Sequence, residues 1–126
     1  MAARRTPQES AAIIEWLFEN SREVMFVIGA DKRFKLVNPT FERETGWTEA
    51  EVVGQYARDF IHPGEEASIE SHLQRLKDQG YSDHASRIRA KDGGWRWFEG
   101  RAQLLPNGEM IGVVRNATRE RELDAR

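Results

Sequence analysis

The chain has 126 residues, 39% hydrophobic and 32% charged, which suits an ordinary globular domain with a single core. Nineteen basic and 21 acidic residues, interspersed, leave a net charge of −2, so there is no electrostatic footprint for nucleic acid or an anionic membrane surface. Cysteine is absent, which excludes disulfides, thiolate nucleophiles and Cys-based metal sites, and no apolar run approaches the roughly 18 residues of a membrane span. These features predict a cytoplasmic module with no nucleic-acid partner and no direct membrane contact.

Thr6-Pro7-Gln8-Glu9 opens a helix over about residues 6–19, with Thr6 as cap, Pro7 at the first helical position and Glu9 reaching back. Its apolar residues Ile13, Ile14, Trp16, Leu17 and Phe18 cover a wider arc than one docking face requires, so one side is expected to seek a partner chain. Residues 24–30 form a dense β run, and after the Asp31-Lys32 turn residues 34–38 return as its hairpin partner. Asn38-Pro39 caps a short helix over 40–45 that ends at Gly46, and Thr48-Glu49-Ala50-Glu51 is a capping box for another that closes at Gly54. A further turn over 57–62 breaks at Pro63-Gly64. The longest central helix then covers 65–79, with Ile69, Leu73 and Leu76 on one face and Gly80 as its stop.

Three strands follow, at about 81–90, 95–105 and 109–115. Asp92-Gly93-Gly94 and Pro106-Asn107-Gly108 make the tight turns between them. Residues 116–126 are charged and helix-prone. This order predicts an α+β fold: one five-stranded antiparallel sheet, short helices grouped on one face, and an extra N-terminal amphipathic helix. The expected segments are a helix over 1–22, the domain over 23–118 and an exit helix beginning at 119–126. A charged, helix-prone end is expected of a module cut from a longer chain, with a free-standing single-domain protein as the alternative.

Five local motifs stand in a telling order. Asn38-Pro39-Thr40-Phe41 steps into the first short helix. Gly46-Trp47-Thr48 is followed by Glu51-Val52-Val53-Gly54. Ile61-His62-Pro63 precedes the long helix, the Lys91-Asp92-Gly93 hairpin leads into Arg96-Trp97-Phe98-Glu99, and Asn116-Ala117-Thr118-Arg119-Glu120-Arg121 closes the set. Over residues 23–121 this series resembles the PAS family of sensory domains, of the kind found in bacterial sensor histidine kinases. One departure is Asn116, where the family usually has an Asp that ties the last strand to the exit helix. Asn keeps the shape and loses the charge, which implies a softer coupling there, although Asn caps a helix about as well as Asp.

The resemblance implies three cofactor possibilities. Light-sensing flavin members place a reactive cysteine in a step matched here by Gly54-Gln55-Tyr56-Ala57-Arg58, so Ala57 excludes a photoactive flavin adduct. The positions that would read the flavin edge correspond to Ile88, Phe98 and Val114, which offer no hydrogen bond, so plain flavin is not expected. Haem-binding members use a His at the position of Ile69. His72 lies three residues on and reads as a helix-surface or interface histidine, His62 as a helix start and His84 as a strand residue, so neither haem nor a zinc site is expected. A small organic ligand is the open option, in a pocket formed by Met25, Val27, Leu36, Phe41, Phe60, Ile69, Leu73, Ile88, Phe98 and Val114. The alternative is that these side chains fill the space themselves.

No Ser-His-Asp set, phosphate-cradling Gly loop or HExxH motif is present, and the alternation of Trp97, Glu99 and Arg101 reads as a sheet surface, so the domain is expected to be non-catalytic. Two functional readings follow. In one, a ligand or partner signal leaves through Asn116 and Thr118 into the exit helix of an effector, foremost a histidine kinase. In the other, the chain is a constitutive homodimerisation or docking domain with a filled core. Both use an outer sheet patch of Trp97, Ile111 and Val113, which the N-terminal helix must cover from its own chain or from a neighbour, and a homodimer built from this helix and the sheet face is expected.

Overall fold

A computed structural model describes residues 4–124. The elements are α1 (Pro7–Asn20), β1 (Val24–Ile28), β2 (Phe34–Val37), α2 (Pro39–Thr45), α3 (Glu49–Val52), two 3-10 turns (Ala57–Phe60 and Pro63–Glu65), α4 (Glu66–Gln79), β3 (Tyr81–Arg89), β4 (Trp95–Leu104), β5 (Met110–Asn116) and α5 (Thr118–Asp124). The outermost ends of the expected 1–22 and 119–126 segments lie outside the described residues.

All strand pairs are antiparallel, in the order β2-β1-β5-β4-β3. The first and last strands in sequence thus meet at the centre, and α2 packs on β1 while α4 packs on β3 and β4. Local chemistry sets most of the boundaries. Thr6 Oγ1 accepts from Glu9 N–H, although Glu9 takes its own bond from the Thr6 hydroxyl rather than closing a full capping box. Thr48 and Glu51 do close one. Gly46 and Gly80 end α2 and α4 at φ of 81° and 84°, the left-handed conformation that glycine adopts without a Cβ clash.

The core lies between the sheet and the helices. Val24, Ile28, Phe34, Val37, Phe41, Val52, Phe60 and Phe98 are buried there, with Phe26, Trp47, Ile88, Met110 and Val114 packed against them. Asn38, fully buried, ties three elements together. Its Oδ1 accepts from Met25 N–H and Phe41 N–H, and its Nδ2 donates to the carbonyls of Phe18 and Glu23, all at 3.0 Å.

The structure corrects the expected facing of β1 and β2. Val24, Phe26 and Ile28 point into the core, so Met25 and Val27 point to the outer face, where they sit opposite Val113 and Ile111. In β2, Phe34 pairs with Ile28 and Leu36 with Val27, with Lys35 as the extra residue of a bulge between them. Leu36 is therefore on the outer face too, 44% exposed. Met25, Val27 and Leu36 do not line the interior. A run of five apolar residues carries no alternation from which to read its phase, and the bulge shifts the phase of its partner.

Candidate functional site

Three regions bear on function: the space between sheet and helices, the outer face of the sheet, and the exit into α5.

Aromatic rings occupy the first. Phe34 stands edge-on to Phe26, Phe41 and Phe60 with centroids 6.0, 5.6 and 5.7 Å apart, and Trp47 meets Phe60 at 5.5 Å. Edge-to-face contacts of this kind are among the favoured geometries for ring pairs. Room for Phe26 comes from Gly112, directly across the strand pair, where a Cβ would run into the ring. Of the expected pocket residues, Phe41, Phe60 and Phe98 are buried here, Ile88 and Val114 pack against them, and Ile69 and Leu73 are half-buried on α4. Phe26, Phe34 and Trp47 were not among the expected residues. The signal that could have found Phe26 is the pairing of a large aromatic with a glycine across strands, which needs the register to be known first.

The outer face carries a stripe of Met25, Val27, Leu36, Ile111 and Val113. Ile111 and Val113 are where the sequence placed them; Met25, Val27 and Leu36 join them. Trp97 does not. It shares the face but sits across from Arg87 on β3, beyond the Glu99–Arg115 pair. Guanidinium groups of Arg87 and Arg121 lie 5.3 and 4.5 Å from its ring centroid, so cations cover it. An open depression of about 640 Å³ lies beside the stripe, lined by Glu23, Asp83, Ala85, Glu99, Val113 and Arg115. On α1, meanwhile, Ile13, Ile14, Trp16 and Leu17 are 48, 66, 64 and 52% exposed, Phe18 is half-buried, and no residue of the helix is fully buried.

At the exit, Asn116 Oδ1 accepts from the backbone N–H and the hydroxyl of Thr118 at 3.0 and 2.6 Å. Thr118 Oγ1 accepts from Trp97 N–H at 2.8 Å, and the N–H of buried Ala117 donates to the Trp97 carbonyl. Arg115 grips Glu120 through two bonds and reaches Glu99, which also receives Arg121. The Arg115 guanidinium holds the Glu120 carboxyl below its usual range. The first turns of α5 are therefore fastened to β4 and β5.

The Asn at position 116 has a physical reason. Its Nδ2 donates to Glu44 of α2 at 3.1 Å, a bond that an aspartate cannot make. Asn116→Asp places two carboxylates together and is expected to lower stability by roughly 1 kcal/mol in urea unfolding at pH 7. Glu44→Gln in the same background restores it. An Asn116→Asp variant as stable as the parent means that Glu44 turns away in solution.

His62 and His84 stand where the sequence placed them, at a helix start and on a strand, and His72 does not. His62 caps the second 3-10 turn, accepting from Gly64 N–H at 2.8 Å. His72, expected on the helix surface or at an interface, is instead buried at 7% exposure and stacks on His84 of β3.

The family model described as the PAS fold matches residues 34–116. A stretch of 74 residues, 58% of the chain, is 32% identical to the White collar 2 protein of Neurospora crassa but spans only 14% of that protein. Among solved structures, the PAS domain of a Colwellia psychrerythraea protein superposes with a TM-score of 0.79 at 20% identity, over 87% of this chain and 98% of that one. A domain of a sensory box sensor histidine kinase/response regulator from Geobacter sulfurreducens gives 0.78 at 19% identity, over 90% and 99%.

Proposed function

The chain belongs to the PAS family, and we propose that it is a regulatory module of a signalling protein, working as a homodimer and passing its state through α5 to an effector such as a histidine kinase. The observation that carries this reading is a pair of apolar surfaces that no part of the described residues covers. Four large side chains of α1 and the outer stripe of Met25, Val27, Leu36, Ile111 and Val113 each need a cover, and a second copy supplies both at once.

Charge favours helix on sheet over helix on helix. α1 carries Glu9, Glu15 and Glu19 with no basic residue, so two copies side by side repel. The sheet face is balanced instead: Arg101, directly opposite Val113, is paired with Asp83, and Arg115, two residues along β5, with Glu99 and Glu120, so an acidic helix meets ion pairs there and not a second acidic helix. The open depression beside Val113 gives a ring such as that of Trp16 a place to sit. Trp97, covered by two guanidiniums, is left out of the interface and serves the exit instead. With aromatic rings occupying the interior, the signal is read as a change in packing between copies or with a protein partner, in preference to a small molecule held in the core. Two α5 helices leaving such a dimer start a parallel pair, and a small rotation there biases an output element with two states.

Sedimentation equilibrium on the 126-residue chain and on its Leu17→Glu and Val113→Glu variants tests this. The parent should be a dimer and each variant a monomer with an unchanged far-ultraviolet dichroism spectrum. A monomeric parent, or variants that dimerise as tightly as the parent, removes the proposed interface.

A further inference from the structure

The seam between α4 and β3 is polar where the aromatic cluster is not. Along the inner face of β3 run Ser82, His84, Ser86 and Ile88, with Ser82 fully buried and Ser86 nearly so. α4 lays His72 and Leu76 against them, and Arg75 Nε donates to Ser82 Oγ at 2.9 Å. The His72 and His84 rings stack with centroids 4.3 Å apart and planes 19° from parallel. His72 Nδ1 and His84 Nε2 are both shut off from solvent without a hydrogen-bond partner among the described residues. Buried polar atoms are seldom left so.

Among the described residues, nothing nearby is free to neutralise a proton on this stack. Arg75, one turn along the same helix, is already a cation. Glu65, in the turn before α4, is the carboxylate that bears on His84, but Arg87 holds it at 2.6 Å and Ser68 also donates to it. Asp83 points to the other face, bound to Arg101. From β4 the neighbours are Gly100, opposite His84, and Ala102, opposite Ser82, which bring no side-chain charge. A proton on one ring meets a buried, cation-flanked site, and a second places two cations face to face.

We propose that the His72–His84 stack is an acid-operated release for α4: neutral rings hold the helix on β3, and a proton on either ring, buried beside Arg75 with no free carboxylate among the described residues to pair it, is relieved by the helix leaving the sheet. Loosening is felt first at Glu65, at the foot of α4, whose partner Arg87 lies over Trp97, and Trp97 in turn is held by Thr118 and Arg121 of the exit helix.

The proton affinities agree with this geometry. Burial, then His84 and Arg75, push His72 from 6.5 down to about 4. Burial, then Arg75, lower His84, against an opposing pull from Glu65. Because the folded chain binds these protons less well than the unfolded one, the stack's contribution is complete above about pH 6.5. It is lost as pH falls from there towards 4.

The test is a histidine NMR titration of the intact chain, combined with hydrogen exchange at about pH 7.5 and 4.5 corrected for intrinsic rates. His72 should bind its proton roughly 300-fold more weakly than a free imidazole. Amides of α4 should lose at least about tenfold more protection at low pH than those of β5. The double variant His72→Phe/His84→Phe should erase that difference. Titration of both rings near 6.5, the ordinary value, or an α4 response that the double variant leaves unchanged, overturns the proposal. Should the double variant fail to fold, the titration of the unaltered chain decides alone.

Discussion

Asn38→Ala is expected to destabilise the domain by about 3 kcal/mol, among the largest effects of any single polar truncation here. The loss has two sources. Alanine removes the cap of α2, worth roughly 1 kcal/mol at a typical site. It also leaves the Met25 N–H and the carbonyls of Phe18 and Glu23, all part-buried, without their side-chain partner around the fully buried site that Asn38 fills. Each buried group so orphaned costs about 1–3 kcal/mol before the surroundings relax. Asn38→Asp separates these parts, since a carboxylate still accepts from Met25 and Phe41 but faces two carbonyls that it cannot serve. It should lie between the parent and alanine in urea unfolding. The Phe18 carbonyl is one of the points where α1 is fastened to the body, beside the Ser21 carbonyl that takes the Thr40 hydroxyl, so the alanine variant should also expose α1 to exchange and weaken the proposed dimer. A loss under about 1 kcal/mol would mean that ordered water replaces the amide.

The sequence revealed this fold where the determinants are local. The stops at Gly46 and Gly80, the Thr48–Glu51 box, the Asn38-Pro39 step and the Asp92-Gly93 turn each rest on a few adjacent residues, and all are found in place. The order of elements along the chain, and with it a single five-stranded antiparallel sheet, followed from these boundaries; the order of strands within the sheet did not. What stayed hidden depends on phase and on long-range pairing. Val-Met-Phe-Val-Ile reads the same whichever face is turned inward, so only the pairing of Phe26 with Gly112 reveals that Met25 and Val27 face out. The bulge at Lys35 then puts Leu36 beside them. On β3 the inward positions are Ser82, His84 and Ser86, a polar set that gives no hydrophobic signal. Its meaning appears only when α4 brings His72 across from it, from beyond the turn at Gly80. Trp97 read as an apolar patch because nothing local predicts that Arg87 and Arg121 would cover it.

That phase correction changes the functional weight of the two surfaces: Met25, Val27 and Leu36 leave the interior and enlarge the outer stripe, while Phe34 takes the central place inside. Phe34→Ala is therefore the variant that separates a filled core from a ligand pocket. The ring is 7% exposed and touches Phe26, Phe41 and Phe60, so its removal should cost about 4 kcal/mol. Because the remaining rings are held by the sheet and by α2, the void should persist as a dry, apolar cavity of phenyl size. Such cavities take up small arenes. Toluene should raise the melting temperature of the alanine variant by several degrees and leave the parent unmoved, since only the variant has a folded-state site for it. An equal shift in the parent would mean that its interior already opens to ligands, and the proposed regulatory role would move from the outer stripe to the core. No shift in either would mean that the rings collapse into the gap, and Phe34→Leu, with a smaller loss, should then show a nearly neutral core. The decisive comparison is between parent and variant in the same ligand titration, because a filled interior predicts a difference between them and a preformed pocket predicts none.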